Sequence, residues 1–328
     1  MEKIVEGVYK QKLNLPFTWT PEMNIYIIMG DEITLIDTGP GDPKSIQVIS
    51  DSLKDIGLEL KDINKIINTH EHVEHFAGDE IIKKNSGATV SAHKKAANII
   101  QNFTRYVSEL FNAITGAEIE PRMKAVAERY LSFQSSISSS KVERPLRNGE
   151  VIDLGPFTLE TIHTPGHAPG HICFYDEKRE ILFSGDHVLG TGTPFVGYGI
   201  TDLLIDRVSV KQGLKSAEHG NMTAYLNSLE RLLSLDIKRI LPAHGPIITE
   251  PYSKIREDIN RKLLREQMIL KALESGEETL EGLTHKAYGS FQLDYLLKGS
   301  TMAYIDRLLD LRKIEKVVKG NQTYYKLK

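Results

Sequence analysis

Apolar runs and their spacing divide the chain into alternating strands and helices. Ile25 to Met29 and Ile33 to Ile36 are β-rich runs separated by Gly30, Asp31 and Glu32, which predicts a hairpin whose second strand ends at Asp37, Thr38 and Gly39. A 3.6-residue period then takes over. Ile46, Ile49, Leu53 and Ile56 share one stripe, with Asp42 as N-cap, Pro43 as first helical residue and Gly57 as stop. Ile66 and Ile67 read as a strand running into His70, a helix is expected over about 77–86, and Ala88 to Val90 reads as the next strand. Residues 94–140 are mostly helical in pattern, with Phe103, Tyr106, Phe111, Tyr130 and Phe133 scattered through them, and suggest a helical insertion. Further strand signals follow at 151–163, turning at Gly155-Pro156, and at 171–176 and 180–185; a helix over 222–235 precedes the last, at 238–242. Helices interleaved with hairpins predict an α/β sandwich of sheets flanked by helices. Beyond Pro251 the pattern changes to helices at about 253–275, 279–288 and 300–313. They lead into a hairpin from Lys316–Val318 to Tyr324–Tyr325 around Gly320-Asn321, a winged-helix arrangement. Two domains are expected, 1–252 and 253–328.

Composition narrows the functional classes. With 40% apolar residues in 328, the chain can bury a core, and a net charge of −3 supplies no global field to gather a phosphate backbone. Cys173 is the single cysteine, so intrachain disulfides, zinc ribbons and dithiol redox chemistry are excluded, and a reducing cytoplasm is the expected location. Within the apolar run Ile172 to Phe174 it reads as a small core residue. The start has no apolar signal core, and no stretch of about 18 apolar residues occurs, so neither export nor a membrane partner is expected.

The placement of the histidines carries the chemistry. Thr69, His70, Glu71, His72, Val73, Glu74 and His75 gather three imidazoles and two carboxylates just past an apolar strand, where the chain leaves its sheet. Imidazole and carboxylate without thiolate suit Zn2+, Mn2+ or Fe2+; a polar, solvated turn is the alternative for this cluster taken alone. Three further strand ends each carry one ligand-type residue: His167 after Thr164-Pro165-Gly166, Asp186 after Phe183-Ser184-Gly185, and His244 after Leu241-Pro242-Ala243. A sheet aims such residues at one edge. His171 and His187 adjoin these motifs as candidate hydrogen-bond partners of a substrate, with a structural role equally open; His93, His163, His219 and His285 read as structural.

This ordered set resembles the metallo-β-lactamase-fold hydrolase superfamily. The match runs from the Leu35-Ile36-Asp37-Thr38-Gly39 strand end through His70, His72, Glu74 and His75 to His167, Asp186 and His244, across residues of about 25–250. The resemblance implies an αββα sandwich with its site between the sheet edges. It implies that His70, His72 and His167 hold a first metal, that Glu74, His75 and His244 hold a second, that Asp186 bridges them, and that Asp37 orients a ligand from behind. Zn2+ is the expected ion, one or two per chain, with Mn2+ and Fe2+ as alternatives. The family normally has Asp where this chain has Glu74, so the second metal is expected to bind more weakly than the first.

A catalytic domain followed by a winged helix resembles the β-lactamase-like protein 2 subgroup, some of whose members cut single-stranded RNA; Tyr225 to Leu229 and Arg265 to Gln267 are the weak supporting strings. In the C-terminal stretch from 300, seven Lys/Arg outnumber three acidic residues, yet Asp306 and Asp310 lie on the helix that would enter a groove. Ile305, Leu308 and Leu309 give that helix an apolar face, which points to domain docking or a homodimer rather than to nucleic acid. The expected function is metal-dependent hydrolysis of a small ester, thioester or lactone by a metal-bound water, with Asp186 and Glu74 in the catalytic set. Phe103, Tyr106 or Phe111 are expected to receive the apolar part of this small-molecule acyl substrate; Arg105 and Arg122 are candidates for an anionic group on it, with a solvated helix face the stronger reading for each taken singly. An endoribonuclease and a non-catalytic DNA-binding protein are the alternatives.

Overall fold

Strand β3 (Glu22–Met29) serves two interfaces at once: Ile25 and Ile27 enter one core cluster, Tyr26 and Ile28 another, as the two-residue period of a strand requires. The computed structural model describes residues 1–15, 21–115, 121–199, 220–289 and 294–328. In it, β3 belongs to a seven-stranded sheet in sequential order, with β1 (Glu2–Val5), β2 (Val8–Asn14), β4 (Ile33–Ile36), β5 (Ile63–Ile67), β6 (Thr89–His93) and β7 (Arg144–Leu146). Pairing is antiparallel as far as β4 and parallel from β4 to β7. The second sheet runs β12-β11-β10-β9-β8, from β8 (Val151–Asp153), β9 (Thr158–His163), β10 (Ile172–Asp176) and β11 (Ile181–Gly185) to β12 (Arg239–Pro242).

Three apolar clusters define the layers. One lies between the sheets, joining Tyr26, Ile36 and Ile67 to Ile172, Phe174 and Phe183. A second unites the outer face of the first sheet with residues of α1 (Pro43–Lys54), α2 (Val73–Phe76), α3 (Asp79–Ser86), α4 (Lys94–Thr115) and α5 (Pro121–Gln134). The third covers the outer face of the second sheet, where Cys173 and Tyr175 meet Leu226 and Leu229 of α6 (Met222–Leu232). The result is an αββα sandwich. Cys173 sits in that third layer, its thiol pushed up to about 12 by burial.

Local signals in α1 act as their chemistry requires. Asp42 accepts from the backbone N–H groups of Lys44 and Ser45 at 2.9 and 3.3 Å, and Ile49 and Leu53 are buried. The helix expected over 77–86 is α3, starting at Asp79, and a separate single turn, α2, precedes it with Gly78 between them. A Cβ at Gly78 would lie 2.6 Å from the Thr38 carbonyl oxygen, so the chain there passes too close to the end of β4 for any side chain. Strands β1, β2 and β7 go beyond the pattern read from the sequence.

The chain continues through α7 (Pro251–Leu273), α8 (Leu280–Tyr288) and α9 (Asp294–Asp310) to the antiparallel pair β13 (Ile314–Lys319) and β14 (Gln322–Leu327). Helix α9 begins six residues before the expected position 300. Ile255, Ile269, Leu273, Leu283, Tyr304, Ile305 and Leu308 share one cluster with Cys173, Tyr175 and Ile240. These helices therefore complete the outer layer of the second sheet, and the apolar face of α9 is spent inside the molecule. Among the described residues, no helix is long and apolar enough to cross a membrane.

Candidate metal centre

Strands β4, β5, β9, β11 and β12 end at one edge of the sandwich, and each hands the chain to a residue with a ligand-type side chain or its support. After β5 come His70, His72, Glu74 and His75, after β9 His167, after β11 Asp186 and after β12 His244. The structure brings these seven into two groups, His70 with His72 and His167, and Glu74 with His75, Asp186 and His244; within each group the ligand-type atoms lie within 4.8 Å of one another. Only His72 and Glu74 are partly exposed, so the centre opens on their side.

Hydrogen bonds behind the imidazoles decide which nitrogen faces inward. His75 Nδ1–H donates to Asp37 Oδ2 at 2.8 Å, His167 Nδ1–H to the Phe195 carbonyl at 2.6 Å and His244 Nδ1–H to the Glu22 carbonyl at 2.7 Å. Each ring is thereby held with its Nε2 lone pair toward the centre. Asp37 also accepts from the Thr69 backbone N–H at 2.7 Å and the Thr69 hydroxyl at 2.9 Å, and does so from a left-handed backbone, φ 60°. An aspartate tolerates that conformation better than most side chains.

The centre fits a divalent cation on its own geometry. His75 Nε2, Asp186 Oδ1 and His244 Nε2 are buried and lack a hydrogen-bond partner among the described residues, although Asp186 Oδ1 lies 3.6 Å from His75 Nε2 and 3.4 Å from His244 Nε2. Buried polar atoms left unpaired at that separation are costly unless something between them accepts their lone pairs. In the other group His72 Nδ1 is 2.9 Å from both His70 Nε2 and His167 Nε2, three ring nitrogens crowded on one point. Asp186 spans the two groups, with Oδ2 3.5 Å from His167 Nε2.

Electrostatics separates the two groups. Burial, then the neighbouring imidazoles, holds His70 and His72 far below the ordinary histidine value, in the neutral form that ligates. Burial opposes charge at His244 as well, but the Asp186 carboxylate overcomes it and raises that ring to about 9. His75 is likewise raised against burial, by Asp37 and Asp186. Burial alone would push Asp186 up; the His244 and His75 charges outweigh it and hold the carboxyl well below its usual range. The second group draws positive charge to itself.

The other expected contacts fall elsewhere. Phe103 is 3% exposed and packs edge-on against Phe76, with ring centroids 5.1 Å apart; it is a core residue, so the expected substrate contact is corrected. Tyr106 is partly buried against the same cluster. Arg105 lies on an exposed helix face paired with Glu109 at 2.7 Å. Phe111 is exposed. The side chains of Arg122, Tyr130 and Phe133, and the whole of His219, lie outside the described residues. His171 and His187 are wholly buried, in keeping with the structural role left open for them. His171 supports the centre: its Nδ1 pairs with the Thr164 hydroxyl at 2.8 Å, and its Nε2 accepts from the Asp186 backbone N–H at 3.1 Å. Nothing in the sequence marks the Phe195 and Glu22 carbonyls, because a backbone acceptor has no residue signature.

Glu74 joins His75, Asp186 and His244 despite its longer side chain. Metal–oxygen distances for zinc must stay near ~2.0–2.2 Å, so shortening the side chain tests which length the loop is built for. On the weak-site expectation, Glu74→Asp raises retention of the second metal after mild dialysis. Elemental analysis of both proteins checks this; two tightly held metals in the parent with fewer in the variant would mark Glu74 as the adapted length.

Residues 22–244 match the family described as the Metallo-beta-lactamase superfamily. Among curated relatives, the chain is similar to a probable metallo-hydrolase, YqjP, of Bacillus subtilis, at 24% identity over 98% of each protein. It is also similar to the Lactamase-like protein notP of an Aspergillus species, at 24% identity over 84% of this chain and 65% of the relative. An atrochrysone carboxyl ACP thioesterase of a Cryptosporiopsis species is 26% identical over 76% of this chain and 58% of its own length. The chain thus spans less than two thirds of the last two relatives. Of solved structures, a metallo-beta-lactamase family protein of Thermus thermophilus superposes with TM-score 0.75 at 22% identity, covering 99% of this chain and 100% of that one. A beta-lactamase domain protein of Burkholderia ambifaria gives TM-score 0.79 at 16% identity, with 99% and 93% covered. At such identities the likeness is one of fold.

Proposed function

Because the chain belongs to the metallo-beta-lactamase superfamily, a family of metallo-hydrolases, we propose that it hydrolyses a thioester, or a closely related ester or lactone, with Zn2+ at the centre. The observation that carries the reading is the paired ligand set with Asp186 spanning it. Relatives named as thioesterases support the choice of bond.

A divalent cation bound there supplies a Lewis acid that polarises the scissile carbonyl and makes water acidic enough to attack near neutral pH. The protein supplies everything that aims it. His70, His72 and His167 would hold one ion; Glu74, His75 and His244 would hold the other, with Asp186 between them. Asp37, Thr69, the Phe195 and Glu22 carbonyls and His171 fix the orientation of these side chains. Asp186, held ionised, would accept the O–H of the attacking water and so aim the water oxygen's free lone pair at the carbonyl carbon. Partly exposed His72 and Glu74 form the threshold that the substrate crosses.

We read α7, α8 and α9 with the β13–β14 hairpin as the winged-helix module of residues 253–328. Its use is docking: Ile305 and Leu308 are buried against the second sheet's layer, and Asp306 accepts a hydrogen bond from the Tyr198 hydroxyl at 2.6 Å. A helix so engaged does not present its face to a groove of nucleic acid.

The test is an activity panel of acyl thioesters, esters, lactones and single-stranded RNA on zinc-loaded protein. Thioester turnover is expected to vanish with a chelator, return with Zn2+, and change little with added salt. RNA cleavage that falls steeply with salt, or no hydrolysis of any acyl substrate, overturns the assignment.

A further inference from the structure

The segment from Gly190 to Tyr198 carries the carbonyl of Phe195 that accepts from His167 Nδ1, yet it belongs to no helix or strand. Among the described residues, several of its holds come from the C-terminal helices. Lys262 of α7 is 7% exposed and donates to the Pro194 carbonyl at 2.8 Å, one residue from Phe195. Lys254, two turns earlier, donates to the Gly192 carbonyl at 2.6 Å and to Asp258 Oδ1. Asp258 is fully buried, and its second oxygen has no hydrogen-bond partner among the described residues. At the other end of the segment, Tyr198 N–H donates to the Gly299 carbonyl of α9 at 3.2 Å and its hydroxyl to Asp306 at 2.6 Å. A Cβ at Gly299 would lie 1.9 Å from the Tyr198 carbonyl oxygen, so helix and segment are in backbone contact there.

Setting two ammonium groups and a carboxylate along two turns of a helix, with Asp258 and Lys262 buried and Lys254 partly so, is expensive unless each is paired and hydrogen-bonded. An apolar helix face would pack against the second sheet at lower cost. What the charges add is direction: both lysines point at carbonyl oxygens of a segment whose next carbonyl sets the ring of a metal ligand. We infer that Lys262, with Lys254 and Asp258 beside it, is a positioning residue for the metal centre, fixing the Phe195 carbonyl and through it the orientation of His167. The C-terminal helices thereby act on the metal ligand set, whichever bond the enzyme cleaves.

The experiment measures metal binding rather than turnover, so its outcome is separate from the choice of substrate. Parent and Lys262→Met proteins are loaded with Co2+, titrated with a competing chelator, and compared by visible absorption. Losing an outer partner of a metal-bound imidazole typically weakens the metal about 10–100-fold; a loss of at least about tenfold, with a changed Co2+ spectrum, is expected for Lys262→Met. The control is Arg307→Met, which breaks the Arg307–Glu266 ion pair between α9 and α7 at 2.7 Å without touching the segment; its metal affinity and spectrum should match the parent's. Equal weakening in both variants would show only that helix docking matters, and unchanged affinity in Lys262→Met would show that the lysine positions nothing; either overturns the inference. Should Lys262→Met not fold, Tyr198→Phe, which releases the segment from Asp306, carries the same test: weaker Co2+ binding supports the inference, and parent-like binding overturns it. A parent that binds no Co2+ overturns the metal assignment itself, and shows before any variant is compared.

Discussion

Replacing His72 by alanine is expected to reduce hydrolysis to background and to lower the metal content. His72 Nδ1 is the atom shared by the first group, 2.9 Å from both His70 Nε2 and His167 Nε2, so its loss leaves two imidazoles where three converged. The loss should exceed the roughly 100-fold that removal of an outer partner can reach. Stability should change little. His72 is the partly exposed member of its group and precedes α2 without making a side-chain cap, so truncation opens no core cavity. Elemental analysis, thioester turnover and thermal melting on one preparation check all three. A variant that keeps parent metal content and turnover removes His72 from the ligand set.

The second large effect is expected at Asp37, which touches no candidate metal position. Its carboxylate accepts three hydrogen bonds, from the Thr69 N–H, the Thr69 hydroxyl and His75 Nδ1–H, and it is 2% exposed. Asp37→Ala leaves these donors buried and unpaired, at about 1–3 kcal/mol for each unsatisfied group. Alanine at φ 60° adds about 1–2 kcal/mol of backbone strain. Against a total stability of roughly 5–15 kcal/mol, Asp37→Ala should express poorly or melt far below the parent. Asp37→Asn separates folding from function: asparagine tolerates the left-handed backbone and still accepts from Thr69 N–H, but offers His75 an amide in place of a carboxylate. It should fold and hold the second metal about 10–100-fold more weakly. Wild-type metal affinity in a folded Asp37→Asn protein would show that the contact with His75 is packing alone.

Much of this centre is legible from sequence because its parts sit where short patterns are readable. An apolar strand followed within a few residues by His or Asp marks a sheet edge, and four such places in one chain delimit the seven side chains that the structure brings together. The supporting shell is less legible, since half of it is main chain. Aromatic residues in a helical insertion look equally suited to a ligand or a core, and only packing shows that Phe103 belongs with Phe76. Strands β1 and β2 escape notice because lysine and glutamine interrupt them; Lys10 and Lys12 pair with Glu2 and Glu22 at the strand surface. Helix α7 misleads in the opposite sense. Lys254, Asp258 and Lys262 recur every four residues, as on a solvated face, yet Asp258 and Lys262 are buried, because the segment that covers them is remote in sequence.

That remoteness bears on how the protein is made. The candidate ligands run from His70 to His244, so the centre cannot be complete until His244 has been synthesised, long after the strand that leads into its first histidine. Contacts of such separation form late, once the loops between them have closed. Lys254, Lys262 and Gly299, which hold the Phe195 segment, leave the ribosome later still. A nascent chain just past His244 therefore carries every ligand and lacks the grip on one of them, which places secure metal capture among the closing events of biosynthesis.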